Sequence, residues 1–256
     1  MSSRERSYRT EAIILKRRDF GEADRLLTVL TPNHGKVDVI AKGARKPTST
    51  KTGHVELFTK VDLMIHRGRE LGIAQQAEMM VPYLALREDL QRGAYAGYVV
   101  ELLDRFTAEG EEDLDTLYKL LSDALQYLCE ADDLRLVVRY YEMRLLDIVG
   151  FRPELNDCVL TYEPILAEDQ FFSHSDGGVV SPSAAKHTTS LVPINVTTLK
   201  LLRHLQRSAY SRVQSLSIST TLHNDIERLM LGYLTYLLER RLQTVDFIRR
   251  IRKDVR

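Results

Sequence analysis

The hydrophobic period of this chain changes once, near Pro82, and that switch constrains the fold more than any other feature. Before it, from Tyr8 to about residue 77, short runs alternate between apolar and polar residues: YRTEAIILKR, DRLLTVLT, KVDVIAK, HVELFTKVDLMIH and LGIAQQAEM. In the fourth run Val55, Leu57, Val61, Leu63 and Ile65 fall on one face, while Glu56, Lys60, Asp62 and His66 fall on the other. That is the pattern of a strand with one buried side. The PNHG stretch at 32–35 and the triplet Arg67, Gly68, Arg69 supply hairpin turns. Five short strands in about 70 residues suit a small closed barrel of the OB type.

After Pro82 the spacing becomes three and four residues over 90–108, 114–129 and 133–149, as in Leu134, Val137, Val138, Tyr141, Leu145, Leu146 and Val149. These segments are predicted amphipathic helices, joined at 110–113 and 131–133, with Gly150 as a stop. Residues 151–190 break the helical period with Pro153, Pro164, Gly177, Gly178 and Pro182. Two β-like pieces there, CVLTYE and QFFSHSDGGVVS, read as a small hairpin or knuckle. Helical periodicity returns at 195–205 and as one long helix over 221–251. The expected class is α+β: an OB barrel at 1–80, a helical domain at 81–150 and 191–256, and a knuckle at 151–190.

With 44% hydrophobic residues in 256 the chain can bury a real core, and its 36 Lys/Arg exactly balance 36 Asp/Glu, so only the distribution of charge is informative. Residues 1–70 hold 15 basic against 9 acidic side chains, 71–156 hold 8 against 17, and 157–256 hold 13 against 10. A basic first module, an acidic middle and a mildly basic end imply different partners for each. Two cysteines, Cys129 and Cys158, make no disulfide framework, and no apolar leader opens the sequence. No apolar run approaches the roughly 20 residues that a bilayer span requires. A cytoplasmic location is expected.

Catalytic patterns are missing. There is no phosphate loop, no dinucleotide fingerprint, no H-E-x-x-H and no nucleophile elbow, and the GARKPTSTKTG stretch has the wrong spacing for a phosphate cradle. The acidic run Glu109, Glu111, Glu112, Asp113 and Asp115 reads as a solvated turn and helix start, and no two of the seven histidines sit at ligand spacing on one helix. The chain is not expected to be an enzyme.

The basic stretch KGARKPTSTKTGHV at 42–55 carries Lys42, Arg45, Lys46 and Lys51 with no acid among them, and Lys16, Arg17, Arg18 and Arg25 lie in the same module. On a barrel whose loops and one sheet face form the usual groove for nucleic acid, these eight cations are candidate phosphate contacts. A solvated flexible loop explains the charge alone equally well. Tyr8, Phe20 and Phe58 are the aromatics of the module, too few for a dedicated stacking platform, so the predicted binding is led by the backbone and weakened by salt.

The segments RTEAIILK at 9–16, GEADRLLTVLT at 21–31, GKVDVIAKGARK at 35–46, RYYEMRLLDIVGFRPEL at 139–155, and the FS and GG of 172–178 resemble the RecO family of bacterial recombination mediators. The likeness runs from Tyr8 to about residue 185 and is loose beyond. It implies an OB domain, a helical domain and a zinc-finger-like insertion. It also implies a non-enzymatic role: binding single- and double-stranded DNA near the nucleoid, annealing strands, and working with RecR to load RecA onto DNA covered by the single-strand-binding protein SSB. A protein-only adaptor, whose basic loop meets an acidic protein surface, is the alternative.

Many members of that family carry two Cys-x-x-Cys pairs as a structural zinc site. Here Cys158 matches one ligand, and Thr161, Ser181 and Ala184 stand at the other three positions. Substitution by His174 and His187 would require new geometry, so a metal-free knuckle held by Val159, Phe171, Phe172 and Val179 is predicted. The SSB tail implied by the resemblance is acidic with a terminal aromatic and needs a cation beside an apolar slot. Arg135, Arg139 and Arg144 are the candidates, Arg139 first, against a plain surface pairing of Arg139 with Glu142 or Asp132. Arg240, Arg241, Arg249, Arg250, Arg252, Lys253 and Arg256 near the C-terminus fit either favourable helix-end charge or a second DNA contact.

Overall fold

The computed structural model describes residues 6–68, 71–108, 110–186 and 189–254. Arg69, Glu109, His187 and Arg256, each named above, lie outside the described residues. Five strands come first: β1 (Ser7–Phe20), β2 (Asp24–Thr31), β3 (Gly35–Ala41), β4 (Lys60–His66) and β5 (Gly72–Val81). Helices α1 (Ala85–Glu88), α2 (Leu90–Phe106), α3 (Asp115–Glu130) and α4 (Leu134–Ile148) follow. Then come β6 (Gln170–Ser173), β7 (Gly178–Val180), α5 (Pro182–Ala185) and β8 (Val192–Ile194). Helices α6 (Val196–Arg207), α7 (Tyr210–Val213), α8 (Thr220–Leu238) and α9 (Gln243–Asp254) complete the order. No described helix is long and apolar enough to cross a membrane.

The chain divides into two compact units, one comprising residues up to 130 together with those from 244 onward, the other comprising 131–243. In the first unit the strands close in the order β1, β2, β3, β5, β4, with β3 and β5 parallel and every other pair antiparallel. This is the expected five-stranded OB barrel. The AIIL run at 12–15 is buried on both faces, Ala12 and Ile14 inside the barrel with Leu27, Val61 and Leu63, Ile13 and Leu15 outside it. Each of the Ile, Leu and Val side chains among them contributes about 1.5–3 kcal/mol by burial. The β2–β3 hairpin turns tightly: Gly35 has φ +65°, and a Cβ there would collide with the carbonyl oxygen of Glu111.

The fourth strand is shorter than its sequence pattern predicts. It begins at Lys60 because Phe58 has φ +66°, which no extended strand accommodates. Val55 is fully buried in the barrel, as its alternation requires, but from a turn, and Leu57 is half-buried.

The second unit is built around α4, whose Leu136, Val137, Tyr141, Leu145 and Leu146 are buried among α6, α7 and α8. Asp133 caps α4, accepting from the Leu136 amide at 3.0 Å, and also bonds His223 Nε2 at 2.8 Å. A three-stranded sheet, ordered β7, β6, β8, follows α4 in the chain. The CVLTYE piece is a set of turns rather than a strand, touched by an isolated bridge between Asp157 and Pro164.

The single long C-terminal helix expected over 221–251 is two helices. Glu239 adopts the left-handed conformation, φ 52°, and ends α8. The reason is that two apolar stripes serve different cores. Ile226, Met230 and Tyr233 of α8 belong to the second unit, while Ile248 and Ile251 of α9 are buried in the first. There α9 is fixed to α2 by Thr244, which donates its amide and hydroxyl to Glu101 at 2.9 and 2.7 Å, and by Arg252, which donates to the Tyr95 hydroxyl at 2.8 Å.

Candidate nucleic-acid interface

The basic stretch at 42–55 is a chain of consecutive turns, not slack loop. Amides of Ala44, Lys46, Ser49, Thr52 and His54 each donate to the carbonyl three residues earlier, and the Thr52 hydroxyl donates to the Ala44 carbonyl at 3.0 Å. Ala44 and Val55 anchor its ends in the barrel core. The Arg45 amide donates to the Ala23 carbonyl at 2.9 Å and Asp24 accepts from the Gly43 amide at 2.7 Å, so the stretch and the β1–β2 turn form one rim of the barrel.

This rim collects seven of the eight cations predicted for DNA, in three states. Arg18, Lys42 and Lys46 are exposed, and their side-chain cations make no hydrogen bond or ion pair with the described residues. Arg45 reaches exposed Asp19 at 3.5 Å, and Lys51 reaches the Lys42 carbonyl at 3.5 Å. Burial lowers the proton affinity of the Lys51 ammonium, partly offset by Asp24. Arg17 and Arg25 both pair with Glu56, Arg25 at 2.9 Å. Phe20 also stands at this rim, 44% exposed. Phe58 is half-buried.

Lys16 is the eighth and lies elsewhere. It pairs with Asp104 of α2 at 2.6 Å, and Lys36 shares that carboxylate at 3.0 Å while also donating to the Thr107 carbonyl at 2.9 Å. Burial works against the Asp104 charge, yet the two lysines hold its carboxyl below the usual range. Both lysines line a groove of about 740 Å³ across the barrel wall, with Tyr8, Asp38 and Arg67. Arg67 stacks over Tyr8 at 4.7 Å, and His34 leans on the same ring at 4.1 Å, so Tyr8 is already engaged. Sequence reading passed over Lys36 and Arg67 as site residues. Their signal was position: one opens β3, the other leaves β4 into the β4–β5 connection, where OB barrels take ligands.

The arginines of α4 are committed within their own unit. Arg135 bonds Asn224 at 2.8 Å and Glu227 at 3.1 Å. Arg139 is 5% exposed and pairs at 3.0 Å with Glu142, itself 0% exposed, so it is a buried ion pair and not a surface arginine. Arg144 donates to the carbonyls of Gln206, at 3.0 Å, and Ser208, and covers the Tyr140 ring at 5.1 Å. Near the C-terminus, Arg240, Arg241, Arg249, Arg250 and Lys253 are exposed.

The knuckle does not fit zinc. Its four ligand positions offer one thiol, two hydroxyls and the methyl group of Ala184. Cys158 is buried and its sulfur accepts from the Ser181 amide at 3.4 Å. Burial opposes the thiolate, but hydrogen bonds from the Thr161 hydroxyl and the Ser181, Leu160 and Thr161 amides bring the thiol down to about 6. His174 is used elsewhere, packed on Gly232 and stacked with Tyr233. Among the described residues no three His, Cys, Asp or Glu are grouped to hold a metal. Val159 donates to the Val179 carbonyl at 2.9 Å, and Phe172 and Val179 are buried while Phe171 is half-buried.

Comparison with known proteins matches both parts of the chain. The family described as Recombination protein O N terminal matches residues 1–83, and that described as Recombination protein O C terminal matches 87–245. The DNA repair protein RecO of Desulforamulus reducens is 35% identical over 247 residues, 96% of each chain. That of Roseiflexus sp. (strain RS-1) is 38% identical over 253 residues, 99% of this chain and 89% of the relative. That of Pelotomaculum thermopropionicum is 36% identical over 243 residues, 95% and 94% of the two chains.

Proposed function

The chain belongs to the RecO family of DNA repair and recombination proteins, and from that premise we propose that it is a mediator acting by non-covalent contact with DNA and proteins. It binds single- and double-stranded DNA, anneals complementary strands and, with RecR, helps load RecA onto DNA coated by SSB. It does so in the cytoplasm at the nucleoid. The functional division follows the barrel at 1–80, the helical parts at 81–150 and 191–256, and the metal-free knuckle at 151–190.

One observation carries this reading. The side chains of Arg18, Lys42 and Lys46 stand exposed and, among the described residues, unpaired on a rim held by backbone turns, so phosphates meet cations that no described group has neutralised. Lys51 and Arg45 join at little cost, since their own contacts are long, 3.5 Å for Lys51 and 3.3 to 3.5 Å for Arg45. Lys16, Lys36 and Arg67 extend the positive path into the wall groove. The acidic SSB tail is assigned to the second unit, where Arg135 and Arg144 are half-buried and exchange Glu227 and the carbonyls ending α6 for the tail, with Arg139 as the buried charge beneath them.

The test is a salt titration of binding to a single-stranded oligonucleotide, followed by annealing of SSB-coated strands. The protein is compared with a variant in which Lys42, Arg45, Lys46 and Lys51 are alanine. A steep log-log salt slope that flattens in the variant, with annealing lost, supports the mediator. A flat slope in the unmodified protein would hand the chain to the adaptor reading.

A further inference from the structure

Asp104, close to the C-terminal end of α2, lines the wall groove of the first unit together with Lys16 and Lys36, and its carboxylate is shared between them. Oδ2 accepts from the Lys16 ammonium at 2.6 Å and Oδ1 from that of Lys36 at 3.0 Å. The two lysines are held very differently. Lys36, 10% exposed at its side chain, also donates to the carbonyls of Asp104 at 3.0 Å and Thr107 at 2.9 Å. These carbonyls close α2, where a helix leaves acceptors unpaired and its dipole is negative, so Lys36 serves as a cap and stays with the helix whatever the carboxylate does. Lys16 is 58% exposed at its side chain, and among the described residues Asp104 is the sole partner of its ammonium.

The groove is therefore close to balanced in charge while empty. Among its described lining residues, Asp38 and Asp104 stand against Lys16, Lys36 and Arg67. A phosphodiester carries one negative charge, as a carboxylate does, and needs a cation that is free to turn toward it. Lys16 meets that requirement, because an ion pair with one exposed member gains little in water and is readily exchanged. Lys36 does not, since it would give up three acceptors. The exchange at Lys16 leaves no bare charge behind. The Asp104 side chain is 13% exposed, and with Lys16 gone it keeps the Lys36 ammonium at 3.0 Å as its counter-charge.

We propose that Asp104 is a built-in competitor of phosphate: its carboxylate occupies Lys16 while the groove is empty and yields that lysine to a phosphate of the incoming strand, keeping Lys36. This rests on the reading of the groove as part of the DNA path. It adds that α2 of the same unit sets how strongly the groove binds, because every phosphate contact made by Lys16 is reduced by the ion pair it replaces. Of the cations at the groove, Lys16 is the one that changes partner, and Lys36 is a fixed positive background.

The full chain is titrated with a single-stranded oligonucleotide and, separately, with inorganic tripolyphosphate, which has neither base nor sugar. Asp104→Asn keeps the shape of the contact and an oxygen for Lys36 while releasing Lys16. Both probes bind this variant more tightly than the parent, the oligonucleotide by up to about fivefold at roughly 0.1 M salt, with a salt slope steeper by about 0.7. Adding Lys16→Ala abolishes the gain. In the parent background Lys16→Ala costs less than in the Asp104→Asn background, because the lost phosphate contact is offset by an ion pair that no longer has to break. In the unmodified protein, the ¹⁵N signal of the Lys16 ammonium shifts on saturation with either probe and that of Lys36 stays, a reading that needs no variant to fold. Equal affinities of parent and Asp104→Asn for both probes, a gain that survives Lys16→Ala, or a Lys16 signal that does not move overturns the proposal. Tripolyphosphate behaving as expected while the oligonucleotide fails to bind sinks the DNA-path reading and leaves the competitor standing. Failure of both probes to bind parent and variant sinks the two together.

Discussion

The cations of the barrel rim and the arginines of α4 look alike as sequence and are opposites as structure. At the rim, turns spread Lys42 and Lys46 along backbone whose hydrogen bonds are internal, and the nearest acids serve Arg17, Arg25 and Arg45 instead. On α4, each arginine faces something that claims it: Glu227 for Arg135, Glu142 for Arg139, and the carbonyls ending α6 for Arg144. Availability is therefore set by what neighbouring elements present, carboxylates and helix ends above all, and not by local density of positive charge.

The largest expected effect lies on the committed side. Arg139→Met removes one partner of a buried ion pair beside fully buried Glu142, which costs about 3–5 kcal/mol and lowers the urea midpoint. Changing Glu142 to Leu in the same chain returns most of that loss. On the available side, replacing Arg18, Lys42 and Lys46 by alanine changes stability by no more than about 0.5 kcal/mol. It weakens single-strand binding instead. At about 0.1 M salt each lost phosphate contact is worth roughly fivefold, so the triple variant loses about a hundredfold, and its salt slope falls by about two. Should Arg139→Met be stable, or the triple variant unfold, the contrast between the regions fails.

Much of this was legible beforehand. The barrel, its hairpins and helices α2 to α4 follow from hydrophobic period and turn residues, because those signals are local. The break at Glu239 was not, since nothing in LLERRL stops a helix and the cause is that α9 completes a different core. The clustering of rim cations followed from their being in one loop and its adjoining strands. That Lys16 stands apart from the other seven was not legible, because β1 carries a register shift between Ile14 and Lys16 and the carboxylate it meets, Asp104, is far away in sequence. The burial of Arg139 was invisible because i,i+3 spacing to Glu142 describes an exposed pair and a buried one equally.

Two smaller effects sharpen the contrast. Phe20→Ala removes an exposed ring beside the free cations, and base stacking of about 1–3 kcal/mol predicts weaker single-strand binding with duplex binding little changed. In the helical unit, Asp133→Ala loses the α4 cap and the His223 bond, costing about 1 kcal/mol in thermal unfolding. Burial opposes the Asp133 charge, but the His223 hydrogen bond and the Leu136 amide hold its carboxyl below the usual range. Its contribution is therefore complete above the ordinary carboxylate value and fades as pH falls through the depressed folded one. The difference between parent and variant narrows in acid.

The smallest effect asks whether a committed cation can be made available. Glu56 holds both Arg17 and Arg25, so Glu56→Gln keeps the shape of the contact and removes its charge. Arg25 is 15% exposed at its side chain and stays in place; Arg17, at 29%, is free to turn outward toward the rim. One gained contact predicts binding to single strands tighter by at most about fivefold, and a salt slope steeper by less than one. Adding Arg17→Ala to Glu56→Gln returns both quantities to the parental values if Arg17 is the cation released. A loss of affinity in Glu56→Gln would mean that the pair positions the rim rather than withholding charge from it, and that commitment and availability are not alternatives at this end of the barrel.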